Sequence, residues 1–525
     1  MALPGEVDAV VIGAGPNGLV AANRLAEAGW DTLLLEAQAE VGGAVRSDRE
    51  LHPNFVHDTF SAFYPMGAAS PVIRGLHLER YGLHWVQAPA VLGHPRLDRP
   101  WVMLHRDVDV TAGLLDAEHP GDGAAWRAIH DRWQVIGPTL IECLLTPFPP
   151  MRPGLKAMAK LPRVGGLSFV RTMLSPASTQ FEQAFGGDGA RLLLAGNALH
   201  ADIPLDAAGS GFLGLLLIML GQTVGFPVPQ GGAGKLTEAM ADRLVDHGGQ
   251  IETNAPVTKI RVRSGRAVGV RVLDHLVNVR RAVLADVGAE QLYCSLVSAD
   301  ELPTSTLSKM RAFRRDPATI KIDYALNGPV PWVIQPPYPP GTVHIADTYE
   351  EMAVFCGQLN GGVIPDKPFL LIGQMTTADP TRSPAGTESL WAYTHVPQDL
   401  RSDAGGELTG SWDGSELERF ADRMQARIEK HAPGFADRIL VRRILGPREL
   451  QARDANLVGG AVNGGTAALD QQVIFRPIPG LGRAETPIRG LYLASASAHP
   501  GGSVHGACGM NAARAALWHA RLRGR

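Results

Sequence analysis

The chain of 525 residues is short of cysteine, of charge of either sign in excess, and of long apolar runs. Its four cysteines, Cys143, Cys294, Cys356 and Cys508, lie far apart and form no CxxC pair. That spacing excludes a disulfide-rich secreted scaffold, a cysteine-based zinc site and a redox-active dithiol, and it fits a reducing cytoplasm. Lys+Arg 49 against Asp+Glu 52 leaves a net charge of −3, without the basic surplus of a nucleic-acid binder, so no nucleic acid is expected as a partner. The longest apolar run, 212–220, falls well short of the roughly 18 residues of a spanning helix, which excludes a transmembrane protein. The first residues run almost directly into a motif that belongs in the mature protein, so no cleaved signal peptide is expected. No HxxxH or HExxH pair and no GxSxG elbow occurs, so the expected metal set is empty. Gly 60 and Pro 39 punctuate apolar segments and form no low-complexity tract, which argues against disorder.

The opening stretch carries the strongest signal. Residues 7–12 read as a short buried parallel strand, followed at once by Gly13, Ala14, Gly15, Pro16, Asn17 and Gly18. Leu19, Ala22, Leu25 and Ala26 then recur at helical spacing, and Gly29 stops the helix. A second apolar run, 32–35, ends in Glu36, completing a βαβ unit with GxGxxG at its first turn. Gly13 permits the tight turn, Gly15 lets backbone approach a pyrophosphate, and Gly18 allows close packing of helix on strand. The helix N-terminus offers free N–H groups to phosphate, and Glu36 offers acceptors to ribose hydroxyls. A dinucleotide cofactor is expected. Ala37 follows, and then Gly42, Gly43, Ala44, Val45 and Arg46, where the glycines allow chain to pass the pyrophosphate and Arg46 is placed to face phosphate.

Two later stretches return to this domain. Residues 229–272 give a glycine-rich turn, an amphipathic helix and three extended segments (250–253, 257–262 and 267–272), with Val257 opening the second; 281–285 is a further strand-like piece. Near the C-terminus, 490–493 leads through Ala494 and Ser495 to a loop holding His499, Gly502, Ser503, Val504 and His505, then to a helix of small residues reaching about Leu522. A helix N-terminus there would stabilise the negative charge at the N1–C2=O edge of a reduced flavin. The alternative is a glycine-rich cap packed on the first βαβ unit.

The GAGPNG turn, Glu36 followed by Gly42-Gly43, and the segment LYLASASAHPGGSVHGACGMNAA together resemble the phytoene dehydrogenase-related FAD oxidoreductases. Within them the chain is similar to the subgroup that includes pyridine nucleotide-disulphide oxidoreductase domain-containing protein 2, along essentially its whole length. The resemblance implies FAD as the cofactor and an α/β fold: a discontinuous Rossmann-like FAD-binding domain (1–85, 225–300 and 465–525) with an inserted α+β substrate domain (86–224 and 301–464). One departure is Ala494-Ser495, where typical members carry glycine. The implied activity is an FAD-dependent oxidoreductase (dehydrogenase, oxidase or desaturase). It would move hydride from a largely apolar or amphipathic small molecule to flavin, with reoxidation by O2, a quinone or another acceptor. A redox-neutral isomerase and a non-catalytic FAD-binding protein with a partner-contact role remain as alternatives.

Hydride transfer needs positioning more than a base, so catalytic candidates are few. His505 and His499 flank the glycine-rich loop, each against a structural alternative. His57-Asp58 is a candidate for flavin contact, or else a surface turn. Trp332, Trp391 and Tyr393 are candidates for a substrate cavity or for ordinary core. Between Cys143 and Phe181 there are five basic residues, Arg152, Lys156, Lys160, Arg163 and Arg171, and no acid, interleaved with apolar side chains. The stretch 152–171 is a candidate for peripheral membrane contact, for a protein contact, or for a solvated basic face broken at Pro153, Pro162 and Gly165-Gly166. The sequence does not fix the oligomeric state.

Overall fold

A computed structural model describes residues 3–523. Strands come from continuous apolar runs that are covered on both sides. In the first sheet, Glu6–Ile12 lies between His275–Ala285 and Thr32–Leu35, with Gln250–Glu252 beyond the latter and Leu491–Leu493 on the far flank of His275–Ala285. All these pairings are parallel, and the C-terminal ends stand in register: Ile12 opposite Leu35 and Ala285, Leu35 opposite Glu252, Ala285 opposite Leu493. Five loops therefore leave the same sheet edge, which is where open α/β sheets bind ligands. The helices Pro16–Glu27, Gly234–Asp246 and Ala507–Arg523 cover one face, burying Leu19, Leu25, Leu236 and Ala513 against Ala9, Val11 and Leu34. The parallel part is a Rossmann-like arrangement assembled from three distant stretches of chain.

The strand expected at 281–285 begins earlier, at His275. Its first half pairs antiparallel with Arg266–Val272, which pairs in turn with Val257–Arg263. His275, Asn278, Arg280 and Arg281 are exposed there, so the apolar run that signals a buried strand appears only in the second half.

The second sheet has the order Ile439–Leu445, Ala318–Leu326, Glu388–Val396, Leu370–Gln374, Pro340–Ile345, Ala90–His94, Val102–Leu104. Its pairings are antiparallel except that of Pro340–Ile345 with Ala90–His94. On one face Ile320, Ile322, Ile345 and Leu390 pack under Phe420, Met424 and Ile428 of the helix Gly414–His431. The other face turns toward the helices Asp188–His200 and Ser210–Thr223, and the core there is continuous with that of the first sheet. The apolar run 212–220 is part of the second of these helices and is largely buried.

Candidate dinucleotide and substrate sites

The turn after the first strand has no room for side chains. Gly13 has φ +95°, and a Cβ there would lie 2.6 Å from the Asp286 carbonyl oxygen. On Gly15 it would lie 2.9 Å from Asp286 Oδ2, and on Gly18 only 2.0 Å from the Gly13 carbonyl oxygen. The last is the packing contact that draws the helix Pro16–Glu27 onto the strand. Asn17, buried in the first helical turn, keeps its Oδ1 without a partner.

Glu36 closes the second strand. Its Oε2 accepts the Ala14 N–H at 2.7 Å and its Oε1 accepts the Gln38 N–H at 2.9 Å, which fixes the carboxylate beside the turn. Gly42 donates its N–H to the Ala14 carbonyl at 2.8 Å, bringing Gly43, Ala44 and Val45 back to the turn; Ala37, next to Glu36, is exposed. Arg46 does not stand free toward phosphate. Its Nε donates to the Gly43 carbonyl at 3.0 Å and a terminal nitrogen to that of Arg453 at 2.7 Å, so it holds the loop's shape. Val257 is half-buried and packs on the first sheet close to Ala255, whose N–H donates to the Glu36 carbonyl. Asp286, which sequence reading missed, accepts the Gly18 N–H through its Oδ2 at 2.8 Å. An acid directly after a buried strand of a nucleotide fold was the available signal.

The C-terminal loop meets this cradle from the other side. Ala494 donates to the Ala285 carbonyl at 2.8 Å, and the Ser495 hydroxyl accepts the Ser497 N–H at 3.2 Å, so small residues there serve the backbone. A Cβ on Gly502 would strike Asn463 Oδ1 at 2.5 Å, and Ser503 has φ +80°, a strained conformation for a residue with a side chain. Val504 is half-buried, with its carbonyl against Gly67. His505 Nδ1 accepts the Ala507 N–H at 3.0 Å, which caps the last helix. His499 Nε2 lies 3.1 Å from the Thr146 carbonyl and so donates to it. Burial lowers the pKa of both, His505 to about 4. Each ring therefore has a structural bond; His505 also meets the Gly501 and Gly502 backbone, while His499 Nδ1 is buried without a partner.

His57 and Asp58 are buried, not a surface turn. Asp58 Oδ2 pairs with Arg382 at 2.9 Å, and its Oδ1 accepts from Ser47 Oγ and the Ala233 N–H, both at 2.7 Å. Arg382 also reaches Asp379 Oδ2 at 2.9 Å, and that oxygen accepts the Gly231 N–H at 2.7 Å. Burial alone would lower the pKa of Arg382; the two carboxylates overcome it and hold the group above its ordinary value. Next to this network Lys321 donates to the Asp58 carbonyl at 2.9 Å and pairs with Asp323.

The inner face of the second sheet is polar and aromatic. Trp391 and Tyr393 stack at 5.6 Å, and Tyr393, His395, His200, His344 and His94 continue in edge contacts of 5.1–6.4 Å. Burial lowers the pKa of His94 to about 3 and of His200 to about 4, so both are neutral. Gly196 makes this possible, since a Cβ there would lie 2.5 Å from His344 Nδ1. Trp332 lies on the opposite face against Trp101 and is core.

A cavity of about 300 Å³ opens beside this wall. Leu199, Ile203, Phe355 and Leu359 form its apolar side; Asp202, Asp316 and His395 stand together on its polar side, where Arg315, Asp399 and Arg401 also line the wall. His395 Nε2 is 2.6 Å from Asp202 Oδ1, and Asn463 ties the two acids together, its N–H donating to Asp316 Oδ2 at 2.8 Å and its amide to Asp202. Burial, assisted by Asp202, pushes Asp316 up to about 7. Trp332, Trp391 and Tyr393 do not line this cavity; His395, which sequence reading passed over, does.

Comparison with known proteins agrees with this geometry. Residues 11–79 match the NAD(P)-binding Rossmann-like domain, and residues 160–315 match the flavin containing amine oxidoreductase family. The pyridine nucleotide-disulfide oxidoreductase domain-containing protein 2 of Rattus norvegicus is 30% identical over 97% of this chain and 93% of its own length. The phytoene desaturase (neurosporene-forming) of Rhodobacter capsulatus is 25% identical, covering 94% and 91%. The prolycopene isomerase 1 of an Oncidium hybrid cultivar is 22% identical, covering 95% and 81%. Among solved structures, putrescine oxidase bound to putrescine superposes with a TM-score of 0.61 at 14% identity, covering 99% of each chain, and so shares the fold. The glycine cradle, the fixed Glu36 carboxylate and the unpartnered Asn17 Oδ1 fit FAD, and FAD is the cofactor.

Proposed function

Since the chain belongs to the family of pyridine nucleotide-disulfide oxidoreductase domain-containing protein 2 and is an FAD-dependent oxidoreductase, we propose that it oxidises a largely apolar or amphipathic small molecule. In this reading O2, a quinone or another acceptor restores the oxidised cofactor. FAD, when bound, supplies the two-electron acceptor. The chain's own residues hold it: the 13–18 turn and the loop 42–46 at the pyrophosphate, Glu36 at the ribose, and the 494–505 loop facing from the C-terminal side. The 300 Å³ cavity carries this reading: it is apolar along Leu199, Ile203, Phe355 and Leu359, and elsewhere its wall is polar, with Asp202, Asp316 and His395 joined by charged groups such as Arg315 and Arg401. A cavity apolar on one side and polar on the other suits an amphipathic substrate, its hydrocarbon part against the leucines and its polar part against the charged wall. His505 and His499, buried on either side of the glycine-rich loop, are the catalytic candidates in this reading.

The dithiol route of the relative's name finds no support, because all four cysteines are free and spread along the chain. The relatives named as prolycopene isomerases favour a second reading, a redox-neutral isomerisation on the same cofactor. Product mass separates the two. With apolar substrates offered to the holoenzyme under air, a loss of two hydrogens supports oxidation, and an unchanged mass with altered retention supports isomerisation. Neither, across polyenes, terpenes and amphipathic alcohols, would count against both.

We also assign the 152–171 surface to an anionic bilayer. Among the described residues no helix is long and apolar enough to cross a membrane. The helices Met151–Lys160 and Leu167–Leu174 instead expose Met151, Leu155, Met158, Leu174 and, at 83%, Leu167. Arg152, Lys156, Arg163 and Arg171 are exposed among them. Exposed apolar side chains ringed by cations suit the headgroup boundary. Pro153 lies within the first helix and does not break it; the break falls at Gly165-Gly166.

A further inference from the structure

The cradle holds a second buried carboxyl group, Asp286, against the glycines of its first turn. Asp286 Oδ2 occupies the Gly18 N–H at 2.8 Å, in the helical turn whose N–H groups ordinarily serve phosphate. The same oxygen stands 2.9 Å from where a Cβ on Gly15 would lie and 3.0 Å from one on Gly18, so it fills the space that those glycines keep clear.

The groups facing Asp286 are mostly acidic or uncharged. From the helix Pro16–Glu27 comes only the Gly18 N–H; from the second strand's end, Glu36; from the 447–456 segment, Asp454 and the Asn456 amide, which donates to the Asp286 carbonyl at 3.2 Å; from the last helix, the Cys508 thiol. Arg46 directs its Nε and one terminal nitrogen to the Gly43 and Arg453 carbonyls and makes no ion pair with Asp286. A pyrophosphate brought here meets an Asp286 carboxyl that no cation among the described residues pairs with.

We propose that Asp286 holds FAD as the neutral acid, its carboxyl O–H donating to the pyrophosphate, so that FAD binding takes up one proton wherever Asp286 is ionised in the free protein. This rests on the FAD assignment. The balance is simple: carboxylate, proton and FAD go to a carboxylic acid hydrogen-bonded to FAD, with no electron transferred. The free protein is already near that state. Burial, with Asp454 and Glu36 adding to it and the Gly18 N–H opposing, raises the Asp286 pKa to about 8. A bound pyrophosphate would raise it further. The sign follows: below pH 8 the acid is ready and affinity is flat, and above it each unit of pH costs about tenfold.

The test uses the holoenzyme, diluted at pH 6.5 to 9, with FAD release read from flavin fluorescence. From pH 7 to pH 9 the wild type should bind about tenfold more weakly. Calorimetry near pH 8.5 in two buffers of different ionisation heat should report uptake of most of one proton. Asp286→Asn should bind with a flat profile, with Asp286→Ser as the second variant if Asn folds poorly, while Asp454→Asn should keep the wild-type slope. A flat wild-type profile, a slope that survives in Asp286→Asn, or one lost in Asp454→Asn would overturn the proposal. In those cases flavin is still bound and the FAD assignment stands. A protein that takes up no FAD at any pH would overturn both.

Discussion

Arg382 is fully buried between two carboxylates, and replacing it tests the tie between the 57–58 segment and the 379–382 turn. Arg382→Met keeps the volume and removes the charge, leaving Asp58 and Asp379 in the core with their remaining donors: Ser47 and the Ala233 N–H for the first, Gly231 and Thr381 for the second. Breaking a buried pair from one side costs about 3–5 kcal/mol, since the stranded charge cannot reach water. For a cooperative unit of ordinary domain size that is a fall in Tm of roughly 6–20 °C. Arg382→Lys should recover only part of it, because a single ammonium cannot reproduce the guanidinium fork that reaches both acids. The triple variant with Asp58→Asn and Asp379→Asn should recover most of it, since no charge is left buried. Calorimetry and the temperature of flavin release both read the effect. An Arg382→Met protein within about 1 kcal/mol of wild type, or a triple variant worse than the single one, would refute the reasoning.

Three further outcomes are expected. Gly18→Ala should lose most bound FAD, read from the ratio of visible to ultraviolet absorbance, because its Cβ cannot sit 2.0 Å from the Gly13 carbonyl without lifting the helix from the strand. Leu167→Asp with Met158→Asp should reduce sedimentation with anionic vesicles several-fold while leaving flavin content unchanged; equal sedimentation would remove the bilayer assignment. Burial raises the Glu388 pKa from 4.5 to about 7, against hydrogen bonds from Thr376 and Thr377. The folded protein then holds the extra proton, so Glu388 makes stability fall as pH rises from about 4.5 to 7. Wild type should lose up to about 3 kcal/mol relative to Glu388→Gln across that window in urea titrations, and parallel profiles would contradict it.

The first βαβ unit was legible because its apolar runs, glycine spacing and terminal acid all obey one local geometry. The second sheet was not, and the strand Ala318–Leu326 shows why. Its pattern ATIKIDYAL alternates apolar and polar, as a strand with one wet face does, yet all nine residues are buried. Lys321 and Asp323 meet partners from Asp58 and Arg443, far away in the chain, and no local pattern announces that. His94, His344 and His395 were hidden in the same way: each looks like a polar position on an edge, and only tertiary contact shows it to be enclosed. His57-Asp58 stayed open between a flavin contact and a surface turn because its buried partner, Arg382, comes more than three hundred residues later.

The first sheet's two central strands, Glu6–Ile12 and His275–Ala285, are made far apart in time, and the strand Leu491–Leu493 that borders them is made almost last. At ribosomal rates of about 5–20 residues per second, the glycine turn waits on the order of a minute before the loop that completes the cradle emerges. Until then the nascent chain carries an unpaired parallel edge beside His275–Ala285, a surface prone to misassociation. Cofactor capture is thereby a late event in the life of this polypeptide, and a chain cut short before residue 491 is left holding half a nucleotide site. Supplying FAD during synthesis would act on the final minute of folding, when the two ends of the chain first meet.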